Sequence, residues 1–200
     1  RENLFEYACF LQKHNIFDDV IQLYQEVLAI DKSLADKNPS VYLPNVAITL
    51  INLGILYFDK NEFSEAFVKY QDALKISRSL AKNNPSVYLP SVAGTLNNLG
   101  NLHSKKNDFS EALVNYQKAL KTYQSLTKTN SSAFLPIIAM TLANLANLYS
   151  VRNDISTALE KYGEAMKVYQ LLAEDNPNTY LPDVAATLHN LVVLQKAKNL

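Results

Sequence analysis

Leucines, small residues and asparagines return at fixed places along this chain, every 46 residues. Four Leu-Pro pairs are followed by VAITLINLGILY, VAGTLNNLGNLH, IAMTLANLANLY and VAATLHNLVVLQ. In register, Leu50, Leu96, Leu142 and Leu188 share one column, and Leu53, Leu99, Leu145 and Leu191 a second. Leu56, Leu102, Leu148 and Leu194 make a third. Columns three residues apart lie on one side of a helix rather than on alternate sides of a strand, so each segment predicts an amphipathic helix. A second set of segments, FDDVIQLYQEVL, FSEAFVKYQDAL, FSEALVNYQKAL and ISTALEKYGEAM, repeats with the same period. Here Ala66, Tyr70 and Ala73, and their equivalents Ala112, Tyr116, Ala119 and Ala158, Tyr162, Ala165, share one helical face. Small residues let two helices approach, and the tyrosine fills the space beside them.

Polar residues punctuate the pattern. Asn15, Asn61, Asn107, Asn153 and Asn199 share the column where a first helix ends, and Asn tolerates the left-handed turn expected there. Asp108 and Glu111 have the spacing of a capping pair. All seven prolines fall in Asn-Pro or Leu-Pro joints, and none is expected to interrupt a helix body. First helices are expected near 44–60, 90–106, 136–152 and 182–198, and second helices near 17–37, 63–83, 109–129 and 155–175. Residues 1–14 read as the rest of another first helix. The pattern leaves open whether SVYLP extends the first helix or forms a separate turn. The units run 1–43, 44–89, 90–135 and 136–181, with a trailing helix at 182–200, as a single array. Starting at Arg1, midway through a unit, the chain reads as a fragment of a longer protein. A fixed period of this size marks a solenoid, whose units bury their apolar faces against neighbours.

The pattern Leu50, Leu53, Gly54, Tyr57, Ala66, Tyr70, Ala73, with Leu96, Leu99, Gly100, Ala112, Tyr116 and Ala119 one unit on, resembles the tetratricopeptide repeat. The resemblance covers all 200 residues. It implies an all-α fold, a right-handed α-α superhelix of helix-turn-helix units with about nine helices. The period exceeds the family's usual value of about 34 and is closer in style to the long repeats of kinesin light chains. Ala8, Ala146 and Val192 stand in the column of Gly54 and Gly100, and Val192 predicts altered packing in the last unit.

Composition narrows the function. Lys plus Arg and Asp plus Glu each number 19, so no basic footprint for nucleic acid is expected. The lone Cys9 cannot form an internal disulfide and reads as a packed thiol in a reducing compartment. With no signal peptide and no apolar run approaching 18 residues recognised, the expectation is a cytoplasmic chain without a membrane partner. The sequon Asn130-Ser131-Ser132 reads as a polar loop. His14, His103 and His189 occupy different columns, so no metal site is expected, and His103, in the column of Tyr57 and Tyr149, is assigned to helix packing. There is no Gly-rich phosphate loop and no Gly-x-Ser-x-Gly, and the acids recur near helix starts, where they complement the helix dipole. The reading is therefore no enzyme and no cofactor.

In tetratricopeptide arrays the first helices line a concave groove. Setting aside the leucine and alanine packing faces leaves Ile48, Ile51, Asn52, Ile55 and Phe58 in one unit and Asn97, Asn98 and Asn101 in the next. Asn144 and Asn147 follow, then His189 and Asn190. One column is Asn four times: Asn52, Asn98, Asn144 and Asn190. Asn is a poor helix former, so four in mid-helix register ask for a reason. Two readings stay open: carboxamides that pair with the backbone of an extended peptide, or amides that bridge adjacent helices. Asn97, Asn101 and Asn147 recur less regularly and are expected to select the ligand. The Lys and Arg of the family's carboxylate-clamping groove are missing from these columns. The expected function is a protein-protein interaction scaffold that holds an extended peptide or partner helix in an Asn-lined groove, with apolar pockets near Ile48, Ile51, Ile55 and Phe58. The alternatives are self-association through the array ends, a spacer, or the recruiting arm of a larger enzyme.

Overall fold

In the computed structural model, which describes residues 17–127 and 133–198, every regular element is an α-helix. Second helices of the repeat are α1 (Phe17–Lys37), α3 (Phe63–Asn83), α5 (Phe109–Thr127) and α7 (Ile155–Asp175). First helices are α2 (Pro39–Asp59), α4 (Pro85–Lys105), α6 (Leu135–Val151) and α8 (Pro177–Lys198). The chain divides into two compact units, Arg1–Leu102 and His103–Leu200, the division falling inside α4. In the first, α2 packs between α1 and α3; in the second, α6 packs between α5 and α7, and α8 lies on α7. Ala8, Cys9, His14, Asn15, Asn199 and the Asn130 sequon lie outside the described residues.

At three joints a single asparagine separates consecutive helix pairs. Asn38 donates its N–H to the Leu34 carbonyl at 2.9 Å, closing α1, and its own carbonyl accepts from Val41 and Tyr42, opening α2. Its backbone is extended, with φ −144 and ψ 81. The side-chain Oδ1 accepts from Ser40 Oγ at 3.1 Å. Asn84 repeats this with Ser86 at 3.1 Å, and Asn176 with Thr179 at 3.0 Å. Pro39, Pro85 and Pro177 then take the first helical position, where a missing N–H costs nothing.

One consequence corrects the expectation for the prolines: the SVYLP segments are helical, and Pro44, Pro90 and Pro182 lie inside helices. Each follows soon after the helix start and forfeits one intrahelical bond next to N–H groups that already lack partners. Where Asn130-Ser131 replaces Asn-Pro, the first helix begins only at Leu135, with Pro136 in its first turn.

Within each pair the turn is as tight as expected. Asn61, Asn107 and Asn153 have φ of 62, 60 and 61, the left-handed conformation their column predicts. The residue that follows reaches back over the turn, Glu62 to the Tyr57 carbonyl at 2.8 Å and Asp108 to that of His103 at 2.8 Å. Asp154 caps α7 by accepting from the Thr157 N–H at 3.1 Å, while the Asp108 carboxylate lies 3.1 Å from His103 Nδ1.

The tyrosine and alanine columns form the core. Tyr70, Tyr116 and Tyr162 are buried, and the alanines on either side of each are fully enclosed. At Gly54 an added Cβ would lie 2.5 Å from Tyr70 Cε1, so the ring fills the space a side chain would need. In the second unit Tyr162 packs with Ala146, Ala158 and Leu194. A further column is buried throughout: Thr49, Thr95, Thr141 and Thr187. Thr49 Oγ1 donates to the fully buried Asp31 carboxylate at 3.1 Å, and the other three donate to the carbonyl one turn back. Leu188 departs from its column: Leu50, Leu96 and Leu142 are buried, but Leu188 is 53% exposed. In the complete pairs a second helix follows and packs on the first, and none follows α8 among the described residues.

The uncharged stretch within Pro39–Asp59 also revises the reading of apolar runs. Among the described residues α2 is the one helix long and apolar enough to cross a membrane, and here it is packed between α1 and α3 with Leu50, Leu53 and Leu56 buried.

Two predictions follow from this packing. Gly54→Val is expected to destabilise by about 1–3 kcal/mol through overpacking against the Tyr70 ring. Gly163→Ala, where an added Cβ meets nothing within 4 Å, should stabilise by up to about 1 kcal/mol. Urea unfolding of both variants checks the contrast. At the turns, Asn107→Ala should cost about 1 kcal/mol and Asn107→Gly close to none, read as midpoint shifts in the same unfolding curves.

Candidate functional site

The candidate residues can be placed helix by helix. In the first compact unit, α2 buries Leu50, Leu53, Leu56, Ala47 and Gly54 and leaves another face accessible. Ile48 is 47% exposed, and Ile51, Asn52, Ile55 and Phe58 are half-buried. Ile48, Ile51, Ile55 and Phe58 are three and four residues apart, so they form one stripe along the helix. Phe58 anchors the end of the stripe against Phe63 of α3, with ring centroids 5.7 Å apart. Asp59 follows, its carboxyl pushed up by burial. Beside them Tyr57 accepts a hydrogen bond from Gln25 Nε2 of α1 at 3.0 Å.

On α4, Asn98 and Asn101 are half-buried, but Asn97 is only 2% exposed. Asn97, expected to select the ligand, is thus enclosed by the protein. Asn97, Asn101 and Asn144 are all engaged with other residues of the protein.

In the second compact unit the amides meet the core tyrosine. Tyr162 donates its hydroxyl to Asn147 Oδ1 on α6. The Asn190 side chain on α8 hydrogen-bonds the same phenol, partly offsetting the burial that pushes Tyr162 up. Two first helices are thereby joined through a second-helix tyrosine. Tyr116 is likewise hydrogen-bonded by Ser104 while burial raises it. Asn147 is exposed despite its bond, His189 is exposed, and Asn144 is half-buried. Val151 and Met140 add exposed apolar surface on α6.

Burial pushes Tyr123 and Tyr169 up to about 12, so both phenols keep their protons at neutral pH. Among the described residues no group of three or more His, Cys, Asp or Glu could hold a metal ion. The accessible chemistry is apolar side chains, amides and scattered charges, suited to contact with another polypeptide. The buried threonine column and its Asp31 partner were missed in the sequence, although Thr recurs there in all four first helices.

Two family models match the chain, both described as tetratricopeptide repeat, over residues 46–85 and 93–126. None of the curated proteins matches it in sequence. Among solved structures, the crystal structure of BtubC (BKLC) from P. vanneervenii is similar at a TM-score of 0.79 with 27% identity, covering 99% of this chain and 72% of that one. A Podosopora anserina putative kinesin light chain with nearly identical TPR-like repeats superposes at 0.69 with 17% identity, covering 99% and 86%. The N-terminal domain of stress-induced protein-1 (STI-1) from C. elegans aligns at 0.50 with 19% identity, covering 72% and 96%. Over residues 46–85 and 93–126 the chain carries tetratricopeptide repeats, and with its paired helices and its Leu, Ala and Tyr columns it has the fold of kinesin-light-chain-like repeat structures.

Proposed function

We propose that this chain is a protein-interaction scaffold whose principal contact face is the α2 stripe of Ile48, Ile51, Ile55 and Phe58, with Asn52 beside it. The observation that carries this reading is a row of large apolar side chains left accessible on a helix otherwise enclosed between α1 and α3. A row at helical spacing fits an extended peptide or a partner helix, and the Asn52 amide can pair with a peptide backbone without regard to its side chains. For Asn147 and Asn190 the second reading, amides that bridge helices, is the one favoured. Their bonds to Tyr162 support a bridging role between helices.

Selecting a displayed library of short random peptides tests the contact face. The wild-type protein should enrich peptides that Ile48→Asp combined with Ile55→Asp fails to retain, while both proteins give the same helical circular dichroism. Equal retention by the two would remove the stripe from the contact face. Tyr162→Phe tests the bridging role: it is expected to lower stability by about 1 kcal/mol in thermal unfolding, through the lost hydroxyl bonds, and to leave the selected peptides bound as before.

A further inference from the structure

In the second compact unit α8 exposes a seam whose counterparts in other first helices are buried. Asn178, Leu181, Ala185, Leu188, Val192 and Gln195 are all exposed, and their spacing alternates between three and four along about 26 Å of helix. This is the pattern of a coiled-coil seam, with Asn178, Ala185 and Val192 in one heptad position and Leu181, Leu188 and Gln195 in the other. Another side of α8, with Thr187 and Leu194 buried, is taken by α7. In α2 the residues equivalent to the seam, Ala47, Leu50, Gly54 and Tyr57, are buried, and in α6 Ala139, Leu142 and Ala146 are. The seam on α8 is not shaped for another Ala-Tyr-Ala helix. Where Gly54 and Ala146 leave room for a tyrosine ring, α8 has the branched Val192, and Gln195 stands in the column of Tyr57 and Tyr149.

We propose that this seam binds a second copy of the chain, α8 against α8, antiparallel about a twofold axis. The sequence of the seam is self-complementary in that arrangement. When Ala185 faces the second copy's Leu188, Leu181 faces its Val192 and Asn178 faces its Gln195, and the same contacts recur on the other side of the axis. Apolar residues meet apolar ones, and the two carboxamides at each end can exchange hydrogen bonds, which holds the register. Charge agrees with the same register. It lays the end of the second copy's α8, which carries exposed Lys196 and Lys198, beside the start of this one, where exposed Glu174 and Asp175 close α7. A parallel pair would set lysines beside lysines and align the two helix dipoles, whereas the antiparallel pair opposes them.

Sedimentation velocity on the full chain over a range of concentrations tests the contact. The wild type should pass from monomer to dimer as concentration rises. Leu188→Asp, a change at an exposed position, should raise the dissociation constant at least about a hundredfold while the helical circular dichroism stays the same. Direction and register are read from charge. Glu174→Lys with Asp175→Lys, and Lys196→Glu with Lys198→Glu, should each associate more weakly than the wild type. An equimolar mixture of these two variants should associate more tightly than either alone, because both ends of an antiparallel mixed pair then bring opposite charges together, and added salt should narrow the difference. A wild type that stays monomeric at every concentration overturns the proposal, and is the result expected if another part of the same chain covers the seam. So does a dimer that Leu188→Asp leaves intact, and so does growth beyond a dimer, which a closed twofold contact does not give. A mixture that associates no better than its components overturns the antiparallel pairing.

Discussion

The α2–α3 and α6–α7 pairs each depend on a tyrosine ring lying where the facing helix has almost no side chain. At Gly54 the ring of Tyr70 occupies the volume of a Cβ, and at Ala146 the slot is one methyl smaller and still takes Tyr162. The contact sets how closely the two helices approach, because the ring is rigid and its neighbours Ala66 and Ala73 are fully enclosed. It also fixes where the phenol ends. A ring seated this deeply carries its hydroxyl across to the first helices, and a buried hydroxyl must be hydrogen-bonded there. In the second unit it finds Asn147 and Asn190. Asn147 and Asn190 thus satisfy the hydroxyl that this geometry carries to the first helices.

The joints impose a second constraint. With one residue between α1 and α2, and one between α7 and α8, the chain has little freedom in how one pair follows the next. Asn38 serves both helices at once: its N–H closes the first, its carbonyl opens the second, and its Oδ1 holds Ser40. The proline after it presets the backbone for the new helix. Loss of the Asn-Pro pair at the third joint, and the later helix start at Leu135, show the same rule by exception.

Much of this was legible in the sequence because the signals are columnar. Four copies of each position average out local noise, so the second helices at 17–37, 63–83 and 155–175 were located to the residue, as was the left-handed asparagine turn. First-helix starts were misplaced for a physical reason. Leu-Pro looks like a boundary, yet a proline near the beginning of a helix gives up only one hydrogen bond, and Asn-Pro five residues earlier is the stronger start. The candidate site was less legible. Asn97 and Asn98 are adjacent, and a helix turns one of them into the protein and leaves the other half-exposed, which composition cannot distinguish. A pocket lined by Lys32, Leu50 and Ile76 draws on three helices and has no signature in any one of them.

Contact surface in such an array is what the packing rules leave unused. A first helix has one face for the second helix of its own pair and one for the second helix before it, and both are specified by small or leucine-like residues. What remains is a narrow stripe that the fold does not constrain, and it varies accordingly: Ile48, Ile51 and Ile55 on α2, Asn98 and Asn101 on α4, Met140 and Asn147 on α6. The second helix α3 buries Ala66, Tyr70, Ala73, Leu74, Ser77 and Ala81, and its exposed side is free to carry Lys75, Arg78 and Lys82. Positions held by the tyrosine contact are poor places to build specificity, since changing them costs stability first. Variation that is neutral to folding accumulates on the first-helix stripes and on the uncovered sides of the second helices, and a repeat protein acquires its partners there.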